Sequence, residues 1–129
     1  MKKYKTTCAI ILNAKKEFLL IKRAREPFKG AWALVSGIGG TKKGLSPEEA
    51  VRDEVYYDLQ TLFEGRFIFS LPVESDQNTD GVVVFKGTVD EADIDPNPET
   101  VDVFGWFAKK DIRKLGPLAF EHEKILDKI

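Results

Sequence analysis

The chain holds one cysteine and one histidine in 129 residues, and each shortage removes a class of answer. A single thiol, Cys8, cannot close an intrachain disulfide, which fits a reducing, cytoplasmic setting. Cys8 falls among apolar, strand-like residues with no base apparent, so it reads as a small buried hydrophobe rather than a nucleophile. His122 has no second histidine or cysteine beside it, which favours a surface or hydrogen-bonded ring over a metal ligand or general base. No apolar run approaches the roughly 20 residues that cross a bilayer. The start, MKKYKTTCAIILN, passes straight into strand-like sequence, so neither a membrane span nor a signal peptide is expected. Net charge is −1 with both signs interspersed, so nothing marks a nucleic-acid footprint. Repeats, low-complexity tracts and dividing linkers are absent as well. At 43% hydrophobic and 32% charged, the composition is that of a soluble globular protein, and residues 1–129 read as one domain.

What is present centres on residues 37–60, GIGGTKKGLSPEEAVRDEVYYDLQ, a glycine-rich loop running into a capped helix. Ser46 is placed as N-cap, Pro47 as the first helical residue and Glu49 as the third, a capping box with proline where a missing N–H costs nothing. Val51, Val55, Leu59 and Leu62 then recur as the stripe of a helix packed on a core. Asp58 lies about 55° from the centre of that stripe and Glu54 about 95°. The two acids therefore sit at the edge of the buried face, while Arg52, Asp53, Glu49 and Gln60 point towards water.

Around this helix the chain alternates strands and turns. Residues 4–12 and 17–23 read as strands joined by a short hairpin turn at 13–16. Residues 66–73 alternate like a half-buried strand, with Pro72 marking an edge or bend. A polar loop covers 74–81, a strand 81–89, an acidic, proline-punctuated loop 90–98 and a final strand 99–107. Short helices are expected at 109–114 and 119–129. The order β-β-β-α-β-β-β-α-α does not alternate strictly, which argues against a Rossmann sheet.

A glycine-rich loop leading to a helix with carboxylates at this spacing resembles the Nudix box. In that family pattern Gly39 takes the first glycine, Glu54 the central glutamate, Val55 the aliphatic and Asp58 an acidic ligand. Leu45, Asp53, Tyr57 and Gln60 stand where the pattern has glutamate, arginine, glutamate and glycine. Upstream, Arg25, Pro27, Phe28, Gly30, Trp32 and Leu34 are similar to a run that many Nudix hydrolases acting on ADP-ribose-like compounds carry before the box. Phe28 and Trp32 also read as plain core residues, and Arg23 and Arg25 as a solvated strand end.

The resemblance implies an α/β (α+β) fold, a Nudix-type α/β/α sandwich with a mixed β-sheet. It implies hydrolysis of a nucleoside diphosphate linked to another moiety, ADP-ribose-like or a sugar nucleotide. Mg²⁺ or Mn²⁺ would be held by Glu54 and Asp58, because hard cations take oxygen ligands and a diphosphate resists attack until its charge is neutralised. Glu54 and Glu99 are the catalytic candidates, Glu99 from the late loop. Arg23, Arg25, Phe28, Trp32, Gly39 and Gly40 are the substrate-binding candidates, the arginines as planar forks for phosphate and the glycines as close-approach backbone. The partner implied is a small nucleotide diphosphate derivative, with no nucleic acid and no membrane; the oligomeric state, a homodimer included, is left open. Two other readings stand beside this one: a Nudix domain that binds its nucleotide without cleaving it, and an interaction scaffold whose acidic pair only caps local lysines such as Lys22.

Overall fold

The computed structural model describes residues 3–72 and 79–129; most of the polar loop expected at 74–81 lies outside them. The strands are β1 (Tyr4–Ile11), β2 (Phe18–Arg23), β3 (Trp32–Ala33), β4 (Val35–Gly37), β5 (Glu64–Leu71), β6 (Thr79–Thr88) and β7 (Val101–Phe107). The helices are α1 (Gly39–Lys42), α2 (Pro47–Leu59), α3 (Lys109–Ile112) and α4 (Glu123–Leu126), with 3-10 turns at Glu91–Asp93, Arg113–Leu115 and Ala119–Glu121. Among the described residues β4-β1-β6-β5 form one sheet and β3-β2-β7 another. The β1–β6 pairing is parallel and the others are antiparallel, so the strands are mixed as expected.

The period-two alternation of the strands builds three layers. On β1, Ala9 and Ile11 join the core that receives Val51, Val55 and Leu59 of α2. Cys8 and Ile10 join the opposite core, closed by Ile112 of α3 and by Ile125 and Leu126 of α4. On β2, Leu19 and Ile21 face α2 while Phe18 and Leu20 face the other side. Cys8 is fully buried, and burial pushes its thiol pKa up, as an inert small hydrophobe requires. No helix of the described residues is long and apolar enough to cross a membrane.

Helix α2 begins as its sequence dictates. The Ser46 hydroxyl oxygen accepts from the Glu49 N–H at 3.3 Å, and the Glu49 carboxylate accepts from the Ser46 N–H at 3.3 Å. Such a cap stabilises a helix by about 1 kcal/mol. The helix ends sooner than its stripe suggests. Gln60 takes the left-handed conformation, φ 57° and ψ 32°, so Leu62 swings out and is 72% exposed.

Three other expectations are corrected. The turn at 13–16 forms, with Asn13 Oδ1 accepting from the Lys15 and Glu17 N–H groups. Yet β1 and β2 separate into different sheets, bridged only at Leu12 and Phe18 among the described residues. The glycine-rich loop is part helix: a Cβ on Gly40 would lie 2.6 Å from the Ala50 Cα, so glycine there lets α1 pack on α2. The helix expected over 119–129 is broken, because Phe120 and Glu121 have positive φ, and only Glu123–Leu126 is α-helical.

Candidate functional site

Glu54 and Asp58 stand one turn apart on α2, Asp58 buried and Glu54 partly so. Room for the Glu54 carboxyl is provided by Gly37 on β4: a Cβ built there would fall 1.7 Å from Oε1. Only glycine allows this approach. Burial and the nearby Asp58 charge push the Glu54 carboxyl up to about 8, with Arg25 and Arg23 pulling the other way. Burial also raises Asp58, opposed by a hydrogen bond with the Thr100 side chain and by the same two arginines. Among the described residues, no direct ion pair joins these carboxylates to either arginine. The pair is therefore desolvated and only distantly compensated.

The late loop docks on the C-terminus of α2, satisfying carbonyls that a helix end leaves without intrahelical partners. The Asn97 N–H donates to the Asp58 carbonyl at 2.8 Å and the Asp95 N–H to that of Leu59 at 2.9 Å. The Gln60 side-chain amide donates to the Asp95 carbonyl at 2.8 Å. This docking brings Thr100 to Asp58. Glu99, next to Thr100, is exposed, and its backbone N–H donates to Asn97 Oδ1 at 3.0 Å.

Arg23 is aimed by its surroundings. Its Nε donates to the Pro27 carbonyl at 2.7 Å, and its guanidinium carbon lies 4.9 Å from the centroid of the Phe120 ring. Arg25 is exposed. A cleft of about 310 Å³ beside Arg23 is lined also by Ala24, Lys29, Gly30, Pro98, Val101 and Asp102. A larger cleft, about 570 Å³, lies by α3 and α4 around Ile112, Leu118 and Leu126, in the layer opposite α2, and shares no residue with the carboxylate site.

The other sequence candidates occupy different settings. Phe28 is half exposed, its ring 4.9 Å from that of Phe120. Trp32 packs edge-to-face on Phe107 at 5.1 Å, within the core opposite α2. Gly39 is exposed at the start of α1, and Gly40 is buried against α2. Asp53, where the family pattern has arginine, pairs with Lys43 at 2.9 Å on the surface.

Four residues that belong to this arrangement were not among the site candidates read from the sequence: Gly37, Thr100, Phe120 and His122. The lone histidine is buried. Its Nδ1 accepts from the Leu34 N–H at 3.0 Å, so the proton of the neutral ring sits on Nε2, 3.3 Å from the Ser36 hydroxyl. Burial, then the Arg23 charge, hold its pKa down to about 3. It is a satisfied histidine.

The donor chemistry fits a hard divalent cation. Two carboxylates one turn apart can hold Mg²⁺ or Mn²⁺ when water and phosphate oxygens complete the shell. Among the described residues no group of three or more histidine, cysteine or acidic side chains is placed to hold a metal, so the protein's own share of such a shell is thin.

Comparison with known proteins places this geometry. The NUDIX domain of Shewanella oneidensis NrtR, in complex with ADP ribose, superposes with a TM-score of 0.81 at 19% identity, covering 99% of this chain and 86% of that one. A MutT NUDIX hydrolase from Burkholderia pseudomallei gives 0.75 at 21% identity over 100% and 99%. A bifunctional NMN adenylyltransferase/ADP ribose pyrophosphatase from Francisella tularensis gives 0.73 at 13% identity, covering 98% of this chain and 40% of that one. None of the curated proteins matches. The NUDIX domain family model matches residues 2–129; the chain belongs to the Nudix family.

Proposed function

We propose that residues 1–129 act as one Nudix domain that hydrolyses, with Mg²⁺ or Mn²⁺, the diphosphate bond of a nucleoside diphosphate linked to another moiety. The observation that carries this is the Glu54–Asp58 pair, one carboxylate buried and the other partly so, one turn apart with arginine charge nearby and no direct ion pair of their own among the described residues. A structural salt-bridge network would neutralise such a pair internally. An ADP-ribose-like substrate is favoured by two structural relatives, one bound to ADP ribose and one described as an ADP ribose pyrophosphatase.

The chain's own residues divide the work. Glu54 and Asp58 would hold the cation, whose part is to neutralise phosphate charge and acidify water. Asp58 is steadied by Thr100 and by the docked late loop. Arg23 spends its Nε on the Pro27 carbonyl, leaving its terminal N–H groups for paired bonds to phosphate oxygens. Arg25 adds a second positive charge from the exposed side. Glu99, carried by the late loop, is the carboxylate proposed to take the proton of the attacking water, and Glu54 is the alternative base.

Non-catalytic binding is favoured instead by one specific observation: Asp58 is engaged with Thr100, and Leu45 and Tyr57 supply no further ligand. A hydrolysis screen over ADP-ribose, nucleotide sugars, dinucleoside polyphosphates and nucleoside triphosphates, with and without each metal, separates the two. Metal-dependent turnover that falls at least about 100-fold in Glu54→Gln, about 2.7 kcal/mol of transition-state stabilisation, supports catalysis. Wild-type inactivity with retained ADP-ribose binding selects the binding reading. Turnover in Glu54→Gln at the wild-type rate removes Glu54 from the mechanism.

A further inference from the structure

Two phenylalanines beside Arg23 are held in a way that core packing does not require. Phe28 is 50% exposed and Phe120 38% exposed. Both have left-handed backbone, φ 62° and 55°, a conformation bulky residues rarely adopt and that clusters where function demands it. The two turns bring the rings together edge-to-face, 4.9 Å between centroids and 67° between planes. An edge-to-face pair makes an open corner, with one ring as floor and the other as wall.

Phe120 is also anchored from beneath. The ring of His122 lies 5.6 Å from it, and His122 is tied to the Leu34 N–H. The Arg23 guanidinium lies against Phe120, 4.9 Å from the ring centroid, and the charge of Arg23 reaches Glu54 and Asp58. One arginine side chain thus links an exposed aromatic corner to a desolvated carboxylate pair. A nucleoside diphosphate has the same layout, with an aromatic ring at one end, a ribose between, and phosphates that need cation and arginine at the other.

We propose that Phe28 and Phe120 form the seat for the nucleobase, the base stacking on Phe28 with Phe120 as its wall. This inference rests on the proposed nucleoside-diphosphate reading and assigns the part of the substrate which that reading leaves unplaced. Stacking on an aromatic ring is tolerant of base identity, so the seat selects for a planar ring and not for one base.

The test is calorimetric binding of α,β-methylene-ADP and α,β-methylene-UDP against the baseless methylenediphosphonate, all with Mg²⁺ and all inert to hydrolysis. The wild type should prefer the base-bearing ligands. Phe28→Leu and Phe120→Leu should each weaken those ligands about 10-fold, from the loss of one stacking contact, and leave methylenediphosphonate within about 2-fold. Phe28→Trp should bind like the wild type, which keeps the test decisive if Phe120→Leu disturbs Arg23. Equal losses for base-bearing and baseless ligands, no loss for either, or a wild type without preference for a base would each overturn the seat. No turnover is needed, so failure of the seat is distinct from failure of the hydrolytic reading, which is decided by Glu54→Gln.

Discussion

Ser36 and Gly37 are neighbours on β4, and the two sides of that strand treat a titratable group in opposite ways. On one side the Ser36 hydroxyl meets His122 Nε2 at 3.3 Å, while Nδ1 takes the Leu34 N–H at 3.0 Å. On the other, the missing side chain of Gly37 makes way for Glu54. His122 is buried with both nitrogens engaged, and its neutral form completes the hydrogen bonding of a backbone N–H. Glu54 is desolvated, close to a second carboxylate, and compensated only at a distance. Burial with complete partners stabilises a fold. Burial with incomplete partners shifts a group's pKa until its neutral form is favoured, and groups so perturbed cluster at functional sites.

Breaking each side should therefore damage a different property. Gly37→Ala places a Cβ on the Glu54 carboxyl and should displace it, reducing hydrolysis of the best substrate by about 100-fold, as small misplacements of reacting groups do. Ser36→Ala should leave the rate within about 2-fold and lower stability by about 1 kcal/mol in urea titration, the loss of one part-buried hydrogen bond. Equal rates for Gly37→Ala and wild type would mean the carboxyl position does not matter.

His122→Ala removes a buried ring and leaves the Leu34 N–H without its acceptor. A destabilisation of about 2–4 kcal/mol is expected from the cavity and the orphaned donor together, measured by the same titration. A loss below that of Ser36→Ala would contradict the anchoring role.

The two groups also bend stability against pH with opposite sign. The folded pKa of His122, about 3, lies below its ordinary 6.5. Its contribution is present above pH 6.5 and is lost as pH falls towards 3. The folded pKa of Glu54, about 8, lies above its ordinary 4.5. Its contribution is present below pH 4.5 and is lost as pH rises through 8. Thermal unfolding in EDTA should thus show an acid limb and an alkaline limb. Glu54→Gln should flatten the alkaline limb and leave the acid one; an unchanged slope between pH 4.5 and 8 would reject the Glu54 shift. The smallest effect belongs to the exposed Lys43–Asp53 pair: Asp53→Asn should change stability by at most about 1 kcal/mol.

Local patterns were legible in the sequence where local physics decides. Ser46, Pro47 and Glu49 announce the start of α2, and the β-branched run of residues 4–12 announces β1. The spacing of Glu54 and Asp58 places both at the buried edge of the helix. What failed to show is set by distant partners. The turn at Asn13 is correctly read, yet β1 pairs with β4 and β6 while β2 pairs with β3 and β7. The glycines at 39 and 40 read as a phosphate loop until Ala50, on another helix, explains one of them. His122 finds its acceptor role 88 residues back along the chain, and no lone histidine discloses that. Leu62 continues a helical period that the backbone had abandoned two residues earlier.

That abandonment has a meaning of its own. Gln60 stands where the family pattern ends in glycine, and its backbone is left-handed, the geometry for which glycine is the usual choice at a helix C-terminus. Holding a side chain in that region costs about 1–2 kcal/mol, and the amide answers by binding the Asp95 carbonyl and the late loop with it. A motif written in residue letters therefore records shapes at second hand. Here a glutamine fills a turn that glycine would fill without strain, and its side chain helps hold the late loop beside Asp58.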